Sequence, residues 1–292
     1  MKVVAVFGGG GAKSIACVGA WKALVEAGLT PSHLVGTSMG AVIAAAFASG
    51  ATYDEVVIAG RSLSQRDVAR VDPLALVKGA FATHLLKPAG LRGVIERFVT
   101  ATRFGQLRIP LTITATDLDS GELVLLGPHP LTPSPLRGEG ERELVSLGEM
   151  VSLHDALYAS CALPLYFPPL ALDGRRLVDG GLRAVLGLEP ASQIPADLVV
   201  AIHVGPGFDE PPSPSSPVLP RLPPPLIRAH GEAIRVMMAA QVDRLIADWP
   251  RNAARLLVVR PVAEREATFA VSAAERYLQA GYDAMRRGLA DS

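Results

Sequence analysis

Several features are scarce in this chain of 292 residues, and each scarcity excludes a class of protein. Aromatic residues make up only 5% of the sequence, and Lys plus Arg equals Asp plus Glu, so the formal net charge is zero. A neutral chain has no electrostatic footprint for nucleic acid, and none for strong attachment to an anionic membrane surface. The two cysteines, Cys17 and Cys161, each lie in an apolar segment. This favours buried free thiols in a reducing compartment, although the sequence leaves a disulfide open.

Long apolar runs are also missing. The apolar run Val3–Phe7 is too short for a secretory signal peptide, and no cleavage-like site follows it. The longest apolar region, Leu34–Ala51, is interrupted by Gly, Thr, Ser and Met, so it does not predict a transmembrane span. We therefore expect a cytoplasmic protein whose contact with the inner face of a membrane is transient and limited to the interface.

Short apolar segments alternate with stretches of helical periodicity along most of the chain. This alternation predicts an α/β fold, a three-layer α/β/α sandwich whose mostly parallel central sheet is covered on both faces. The expected strands are Val3–Phe7, Leu34–Val35, Leu111–Thr116, Glu122–Leu126, Arg176–Val178, Leu198–Val204 and Leu256–Val259. The expected helices include Ile15–Ala27, Ala41–Ser49, Leu91–Ala101, His154–Ser160, Ile227–Trp249 and Ala273–Leu289.

Composition divides the chain into three parts. Residues 1–204 carry the strand–helix alternation, interrupted by a Pro/Gly-rich insertion at 127–142 that lacks apolar periodicity. Residues 205–225 are rich in proline and predict a linker or a flap. Residues 226–292 are mainly helical in pattern, and we expect them to pack on the same domain.

One pentapeptide stands between a predicted strand and a predicted helix. It reads Gly36-Thr37-Ser38-Met39-Gly40 and matches the pattern G-x-S-x-G. This setting is typical of a nucleophile elbow, in which the serine hydroxyl is exposed at the tip of a strained turn. Gly36 and Gly40 permit the tight backbone path. Ser38 is therefore the candidate nucleophile, and a turn without chemistry is the alternative, because the pentapeptide alone is common.

A run of glycines, Gly8–Gly11, follows the first strand and opens the first helix. Several backbone N–H groups can converge there because glycine permits the required dihedral angles. Together with the N–H of Met39, these groups would form an oxyanion hole beside Ser38. A glycine turn that only joins a strand to a helix is the structural alternative.

A nucleotide phosphate loop is the other functional interpretation of this run, but neither nucleotide pattern is complete. Ser14 stands where G-x-G-x-x-G requires its last glycine, and Ala12 replaces the glycine before Lys13 in a Walker loop. Lys13 would hold the loop or neutralise an anionic group, unless it is a solvated lysine at the helix start.

A base must remove the proton of a serine hydroxyl before that hydroxyl becomes a good nucleophile. Asp179-Gly180-Gly181 directly follows an apolar strand, at the strand end where α/β sheets place active sites. A turn aspartate without chemistry would also fit Asp-Gly-Gly. His203, at the end of another predicted strand, is the alternative base. None of the six histidines forms a pair with metal-ligand spacing, so we predict no metal site.

The order of these motifs resembles the patatin-like phospholipases. The glycine loop, the serine elbow and Asp-Gly-Gly follow one another as in that family. Residues 158–169, Tyr-Ala-Ser-Cys-Ala-Leu-Pro-Leu-Tyr-Phe-Pro-Pro, resemble its Ala-Ser-x-Ala-x-Pro-x-x-Phe-x-Pro segment. Ile109-Pro110 and residues 115–121, Ala-Thr-Asp-Leu-Asp-Ser-Gly, resemble the bacterial members. The resemblance covers about residues 3–205.

The resemblance implies a serine–aspartate dyad without a catalytic histidine, in which Ser38 is the nucleophile and Asp179 the base. Gly9, Gly10 and Gly11 would then donate to the oxyanion. The implied reaction is hydrolysis of an acyl lipid ester through an acyl-serine intermediate, with no cofactor and no metal. The alternatives are an acyltransferase that uses the same acyl-serine, and a non-enzymatic protein that binds a nucleotide at the glycine loop.

Some positions depart from the family pattern. Lys13 stands where arginine is usual, Ser14 where glycine is usual, and Cys17 where bacterial members often have histidine. Leu182-Arg183 follows Asp-Gly-Gly in place of the usual Asn-Pro. These departures bear on substrate choice and rate more than on the implied dyad.

Overall fold

The computed structural model describes residues 1–64, 67, 70–78, 81–130, 136, 144–148, 150–208, 225–263 and 273–291, without the side chains of residues 76 and 225–228. Most of the predicted insertion at 127–142 and of the linker at 205–225 lies outside these residues, so the flap stays a prediction. No helix in the described ranges combines the length and the apolar character needed to cross a membrane.

In the described part of the chain, a nine-stranded sheet forms the centre of the protein. Its strands are β1 (Val3–Phe7), β2 (His33–Thr37), β3 (Leu111–Asp117), β4 (Leu123–Leu126), β5 (Val145–Gly148), β6 (Leu170–Leu172), β7 (Arg175–Asp179), β8 (Leu198–Ile202) and β9 (Arg255–Val259). The order across the sheet is β5-β4-β3-β2-β1-β8-β9, and β7 pairs with β3 and β6. β3, β2, β1, β8 and β9 run parallel to one another, which confirms the mostly parallel sheet.

Helices flank this sheet. They are α1 (Ala16–Glu26), α2 (Met39–Ala48), α3 (Tyr53–Arg61), α4 (Pro73–Lys78), α5 (Pro88–Phe98), α6 (Leu153–Cys161), α7 (Gly181–Ala184), α8 (Leu188–Ser192), α9 (Pro225–Ala247) and α10 (Ala274–Ala290). A short 3₁₀ helix, Gly11–Ile15, leads into α1. The predicted helices therefore form, although α1 begins after the 3₁₀ turn rather than at Ile15. The sequence did not predict β5 and β6, because both are short and only partly buried.

Local sequence chemistry defines several helix ends. Thr52 and Glu55 form a capping box at the start of α3, in which each side chain bonds the backbone N–H of the other residue. Ser152 caps α6 by accepting from the N–H of Asp155. Gly28, which has φ +76°, follows the end of α1, as the sequence predicts.

Two hydrophobic cores lie on opposite faces of the sheet. Successive side chains of a strand point to opposite faces, and β1 is buried along its whole length. Its odd-numbered residues join a core formed with α1, α2, α3, α5, α6 and α10, and Val4 and Val6 join another formed with α8 and α9. This confirms the predicted arrangement of a sheet between two layers of helices.

The C-terminal part contributes to the same sheet and core. β9 lies parallel to β8, and α10 crosses α1 at very close range. A Cβ atom at Gly281 would overlap the carbonyl of Ala16, and one at Gly19 would overlap the carbonyl of Leu278. Glycine at both positions lets the two helix backbones touch. The predicted division into 1–204, 205–225 and 226–292 stays a prediction.

One detail of strand register determines where the site lies. β2 and β7 both pair with the edge of β3 that faces away from β4, and they run in opposite directions. Thr37 at the end of β2 lies opposite Thr114, and Asp179 at the end of β7 lies opposite Ala115. The two strands therefore run toward each other and end at adjacent positions of β3.

Candidate active site

Ser38 lies in the sharp turn between β2 and α2. Its backbone has φ 53° and ψ −135°, a conformation that residues with a side chain rarely adopt. Gly40 makes the turn sterically possible, because a Cβ atom there would overlap the carbonyl oxygens of Phe7 and Gly8. Gly36 has the same role against Ala41. A strained serine between a buried strand and a helix is the geometry of a nucleophile elbow.

The structure brings Ser38 and Asp179 into direct contact. The Ser38 hydroxyl donates a hydrogen bond of 2.8 Å to Oδ2 of Asp179. The N–H of Gly181 donates to the other carboxylate oxygen at 2.7 Å. The sequence expected Asp179 at the carboxyl edge of a parallel sheet, but β7 is antiparallel to β3. The carboxylate reaches Ser38 because β2 and β7 end head to head.

Asp179 is in an unfavourable place for a charge. Asp179 is only 5% exposed. Burial raises the pKa of this carboxyl from 3.8 to about 6, although hydrogen bonds from Gly181 and Ser38 pull the pKa in the opposite direction. A carboxylate with a raised pKa is a stronger base than an exposed one.

Ser160, to which the sequence assigned no role, supports both halves of this pair. Its hydroxyl accepts from the N–H of Ser38 at 2.8 Å, and its carbonyl accepts from the N–H of Gly180 at 3.2 Å. Thr116 adds a hydrogen bond of 2.9 Å from its hydroxyl to the Asp179 carbonyl. The signal for Ser160 was its place in the segment 158–169, but only the fold shows what it contacts.

The glycine loop differs from the sequence prediction at one residue. The N–H of Gly9 donates to the Val185 carbonyl at 2.7 Å, so it does not point into the site as an oxyanion donor. Gly9 instead packs against Ser38, since a Cβ atom there would lie 3.2 Å from the Ser38 Cβ. Within the described residues, the N–H groups of Gly10, Gly11 and Met39 donate to no acceptor.

Lys13 and His203 were both candidates for supporting or basic roles. Lys13 is buried, with 6% exposure, which excludes the solvated lysine at the helix start. His203 is buried beyond the end of β8. The Ser38 hydroxyl donates its hydrogen bond to Asp179 and not to His203.

Cys161 is a second potential nucleophile that the sequence did not place in the site. Burial, and after it the charge of Asp179, raises the pKa of this thiol well above its ordinary value, although Ser38 pulls the pKa in the opposite direction. Only the thiolate is a good nucleophile, so the raised pKa disfavours Cys161 as the nucleophile at neutral pH. Cys17 is also a free buried thiol, and no described group of three or more His, Cys, Asp or Glu side chains is arranged to hold a metal.

An apolar cavity of about 40 Å³ lies beside the glycine loop and the start of α2. Its lining includes Gly11, Met39, Ile15, Ile43, Leu63 and Phe98. A larger groove of about 320 Å³, lined by Trp249 and Asn252 among others, lies near the amino ends of β8 and β9. The smaller cavity is the relevant one, because only it borders residues next to Ser38.

Fold and site together define an α/β protein that presents a strained serine against a buried aspartate. The family model described as patatin-like phospholipase matches residues 5–192 of this sequence. Because that match covers more than half of the chain, the protein belongs to the patatin-like phospholipase family.

This chain is also similar to individual proteins and to a solved structure. An uncharacterized NTE family protein of Mycobacterium tuberculosis is 30% identical over 227 residues, which cover 76% of this chain and 55% of that protein. Patatin-like phospholipase domain-containing protein 7 of Rattus norvegicus is 28% identical over 70% of this chain and 14% of its own length. The structure of VipD from Legionella pneumophila matches 99% of this chain and 66% of that chain, with a TM-score of 0.46 and 14% identity. The chain therefore spans about half the length of the Mycobacterium tuberculosis protein and a much smaller part of the Rattus norvegicus protein.

Proposed function

We propose that this protein is a serine lipid acyl hydrolase of the phospholipase A or esterase type, with Ser38 as nucleophile and Asp179 as base. The observation that carries the proposal is the hydrogen bond of 2.8 Å between the Ser38 hydroxyl and the Asp179 carboxylate. Membership in the patatin-like phospholipase family supports an acyl lipid as the substrate.

In the first half of the reaction, Asp179 Oδ2 accepts the hydroxyl proton while Ser38 Oγ attacks the carbonyl carbon of the ester. The resulting oxyanion accepts hydrogen bonds from the N–H groups of Gly10, Gly11 and Met39, which lack other acceptors in the described residues. Collapse of this intermediate breaks the ester C–O bond. The proton on Asp179 passes to the departing alcohol oxygen, which leaves an acyl-serine.

In the second half, water takes the place of the alcohol. Asp179 accepts a proton from the water as its oxygen attacks the acyl carbon of the acyl-serine. The bond to Ser38 Oγ then breaks, the proton returns to that oxygen, and the fatty acid is released. One carboxylate serves both steps, so the mechanism needs no histidine.

Burial makes a lone carboxylate adequate for this work. An aspartate with an ordinary pKa is a weak base for a serine hydroxyl. The pKa of Asp179 is raised to about 6, which is closer to neutral pH and makes its carboxylate a stronger base. The N–H of Gly181 holds one carboxylate oxygen, which leaves the other aimed at Ser38.

The apolar cavity beside Gly11 and Met39 supports the choice of an acyl substrate. The first carbons of an acyl chain whose carbonyl lies against these N–H groups would meet an apolar lining that includes Ile15, Ile43 and Phe98. A nucleotide at the glycine loop is a poorer fit. The N–H groups of Gly8 and Gly9 already donate to backbone carbonyls, so within Gly8–Gly11 only those of Gly10 and Gly11 are left for a phosphate.

The test is labelling with a fluorophosphonate and hydrolysis of a short-chain p-nitrophenyl ester. We expect Ser38→Ala to lose labelling and to lose activity by about 10⁴-fold. Ser49→Ala, at the other end of α2, is the matched control and should keep both. Cys161→Ala and His203→Ala should also be labelled, because neither supplies the nucleophile or the base.

Full activity in the Ser38→Ala protein would disprove the proposal. Loss of labelling in Cys161→Ala but not in Ser38→Ala would assign the nucleophile to the thiol. Addition of a lysolipid acceptor to the same assay distinguishes hydrolysis from acyl transfer. Release of free fatty acid in its presence supports the hydrolase, and transfer to the acceptor in preference to water supports the acyltransferase.

A further inference from the structure

Exposed apolar side chains are concentrated in the segment 70–87. Val77 and Phe81 are 83% and 89% exposed, and Val71 and Leu74 are about half exposed. We call these four residues the apolar face. Large apolar side chains of this kind normally lie inside a protein, so four exposed ones between residues 71 and 81 indicate a surface for binding.

Basic residues lie next to the apolar face along the chain. Arg70, Lys78 and Lys87 are exposed, while Asp72 is the only carboxylate in the segment. Asp72 is less accessible, lies 3.6 Å from His84 and accepts from the N–H of Leu74. The chain as a whole is neutral, so this excess of positive charge is a local property.

The apolar face is connected by a short path to the dyad. The N–H groups of Leu85 and Leu86 donate to the carbonyls of Leu165 and Tyr166, each at 2.9 Å. Those residues lie in the same segment, 158–169, as Ser160, whose hydroxyl accepts from the N–H of Ser38 at 2.8 Å. The segment that carries the face is therefore hydrogen-bonded to the segment that lines the site.

We propose that the apolar face docks the protein on the surface of an anionic phospholipid bilayer. Exposed Leu, Val and Phe side chains would enter the boundary between head groups and acyl chains, and the neighbouring cations would contact anionic head groups. Docking would bring lipid to Ser38, and in this respect the inference rests on the proposed function. It places the membrane contact expected from the sequence in the segment 70–87.

Charge favours a membrane over a second copy of the chain. A symmetric dimer through the apolar face would bring the cations of two copies close together, with few carboxylates to offset them. An anionic membrane offers the opposite charge to all of them at once. No described helix has the length and apolar character of a transmembrane span, so attachment would lie in the plane of the interface.

The experiment measures flotation of the full chain with vesicles of phosphatidylglycerol and phosphatidylcholine, and with vesicles of phosphatidylcholine alone. We expect wild type to float with the anionic vesicles and to dissociate as salt is raised. The double variant Val77→Ser, Phe81→Ser should lose partition by about tenfold or more. The matched control is Met237→Ser, because Met237 is 63% exposed on α9 and belongs to the C-terminal region.

Two readouts separate this inference from the proposed function. Ser38→Ala should float like wild type whether or not the protein is an enzyme. The double variant should keep its melting temperature and its turnover of a water-soluble ester.

Three outcomes would overturn the docking proposal: wild type that fails to float with anionic vesicles, a double variant that floats equally well, or binding lost in Met237→Ser instead. A wild-type dimer that the double variant dissociates, with no vesicle binding, would assign the apolar face to contacts between copies.

Discussion

The turn at Ser38 and the turn at Asp179 are alike in sequence, but a different physical effect opposes folding at each of them. Both follow the buried end of a strand, both contain glycines, and both lead into a helix. At Ser38 the unfavourable term is conformational, because a residue with a side chain has φ 53°. At Asp179 the backbone is not among the strained positions, and the unfavourable term is the burial of a charge.

The difference indicates which kind of substitution relieves each residue. Backbone strain at Ser38 is relieved by glycine, which adopts a positive φ at little cost. Desolvation at Asp179 is relieved by a neutral side chain of the same shape, since the charge and not the shape is unfavourable. Both terms oppose stability, and the surrounding hydrogen bonds of Ser160, Gly181 and Thr116 hold the two residues in place.

The largest expected effect follows from Asp179→Asn. Loss of the base should reduce ester hydrolysis by about 10⁴-fold. The same variant should be more stable than wild type at about pH 8, by up to ~3 kcal/mol, because burial of the charge no longer opposes folding. Activity assays and denaturant unfolding of the two proteins measure the two effects.

The stability gain depends on pH in a defined direction. Burial raises the pKa of Asp179 from 3.8 to about 6, so the folded protein binds a proton more tightly than the unfolded chain. The protonated carboxyl contributes stability fully below pH 3.8, and this contribution is lost as the pH rises through about 6. The difference between wild type and Asp179→Asn should therefore vanish in acid.

Asp119→Asn is the matched control for this comparison. Hydrogen bonds from Arg176 lower the pKa of this exposed carboxyl, so its neutralisation should give no stability gain at neutral pH. An Asp179→Asn protein that is less stable than wild type at high pH would contradict this prediction. It would show that interactions of the ionised carboxylate offset the cost of burying its charge.

The next effect concerns the pH dependence of catalysis. Only ionised Asp179 can accept the Ser38 proton, so kcat/KM should fall about tenfold for each pH unit below the pKa of the base. The profile should bend at about pH 6, given the pKa of Asp179. The profile is measured in a series of buffers at constant ionic strength. A bend near the ordinary pKa of aspartate would mean that water reaches the Asp179 carboxylate.

The smallest effect is the difference between two inactive proteins. Ser38→Gly and Ser38→Ala both lack the nucleophile, but only glycine relieves the strained φ at this position. We expect the glycine protein to be more stable than the alanine protein by about 1 kcal/mol, as measured by denaturant unfolding. Equal stability, or a less stable glycine protein, would contradict the assignment of strain to Ser38.

Local patterns in the sequence were enough to predict much of this protein. The family, the α/β class and most strands and helices follow from apolar periodicity and motif order, and the structure and the family match confirm them. Ser38 was chosen from the turn that carries it, and Asp179 was chosen over His203 mainly from the resemblance to the family. Their catalytic roles stay predictions, although the contact between their side chains is what those roles require.

The remaining features depend on contacts between distant parts of the chain. The sequence could not show that the N–H of Gly9 bonds Val185, because these residues are far apart in the chain. It placed Ser160 in a motif without showing that its hydroxyl holds the backbone of Ser38. The four residues of the apolar face are Val, Leu and Phe, the residue types that also fill a protein core, so only the fold reveals that they are exposed.

The sequence by itself determined the elbow at Ser38, since glycines, a buried strand and a helix are local requirements of the turn. The tertiary structure alone decided how Asp179 reaches it. β7 runs antiparallel to β3, so Asp179 and Thr37, the residue before Ser38, pair with adjacent residues of β3 from opposite directions. The physical reason is that strand direction and register come from pairing between distant segments, whereas a turn depends on neighbouring residues. The same pairing buries the carboxylate and thereby raises its pKa toward neutrality.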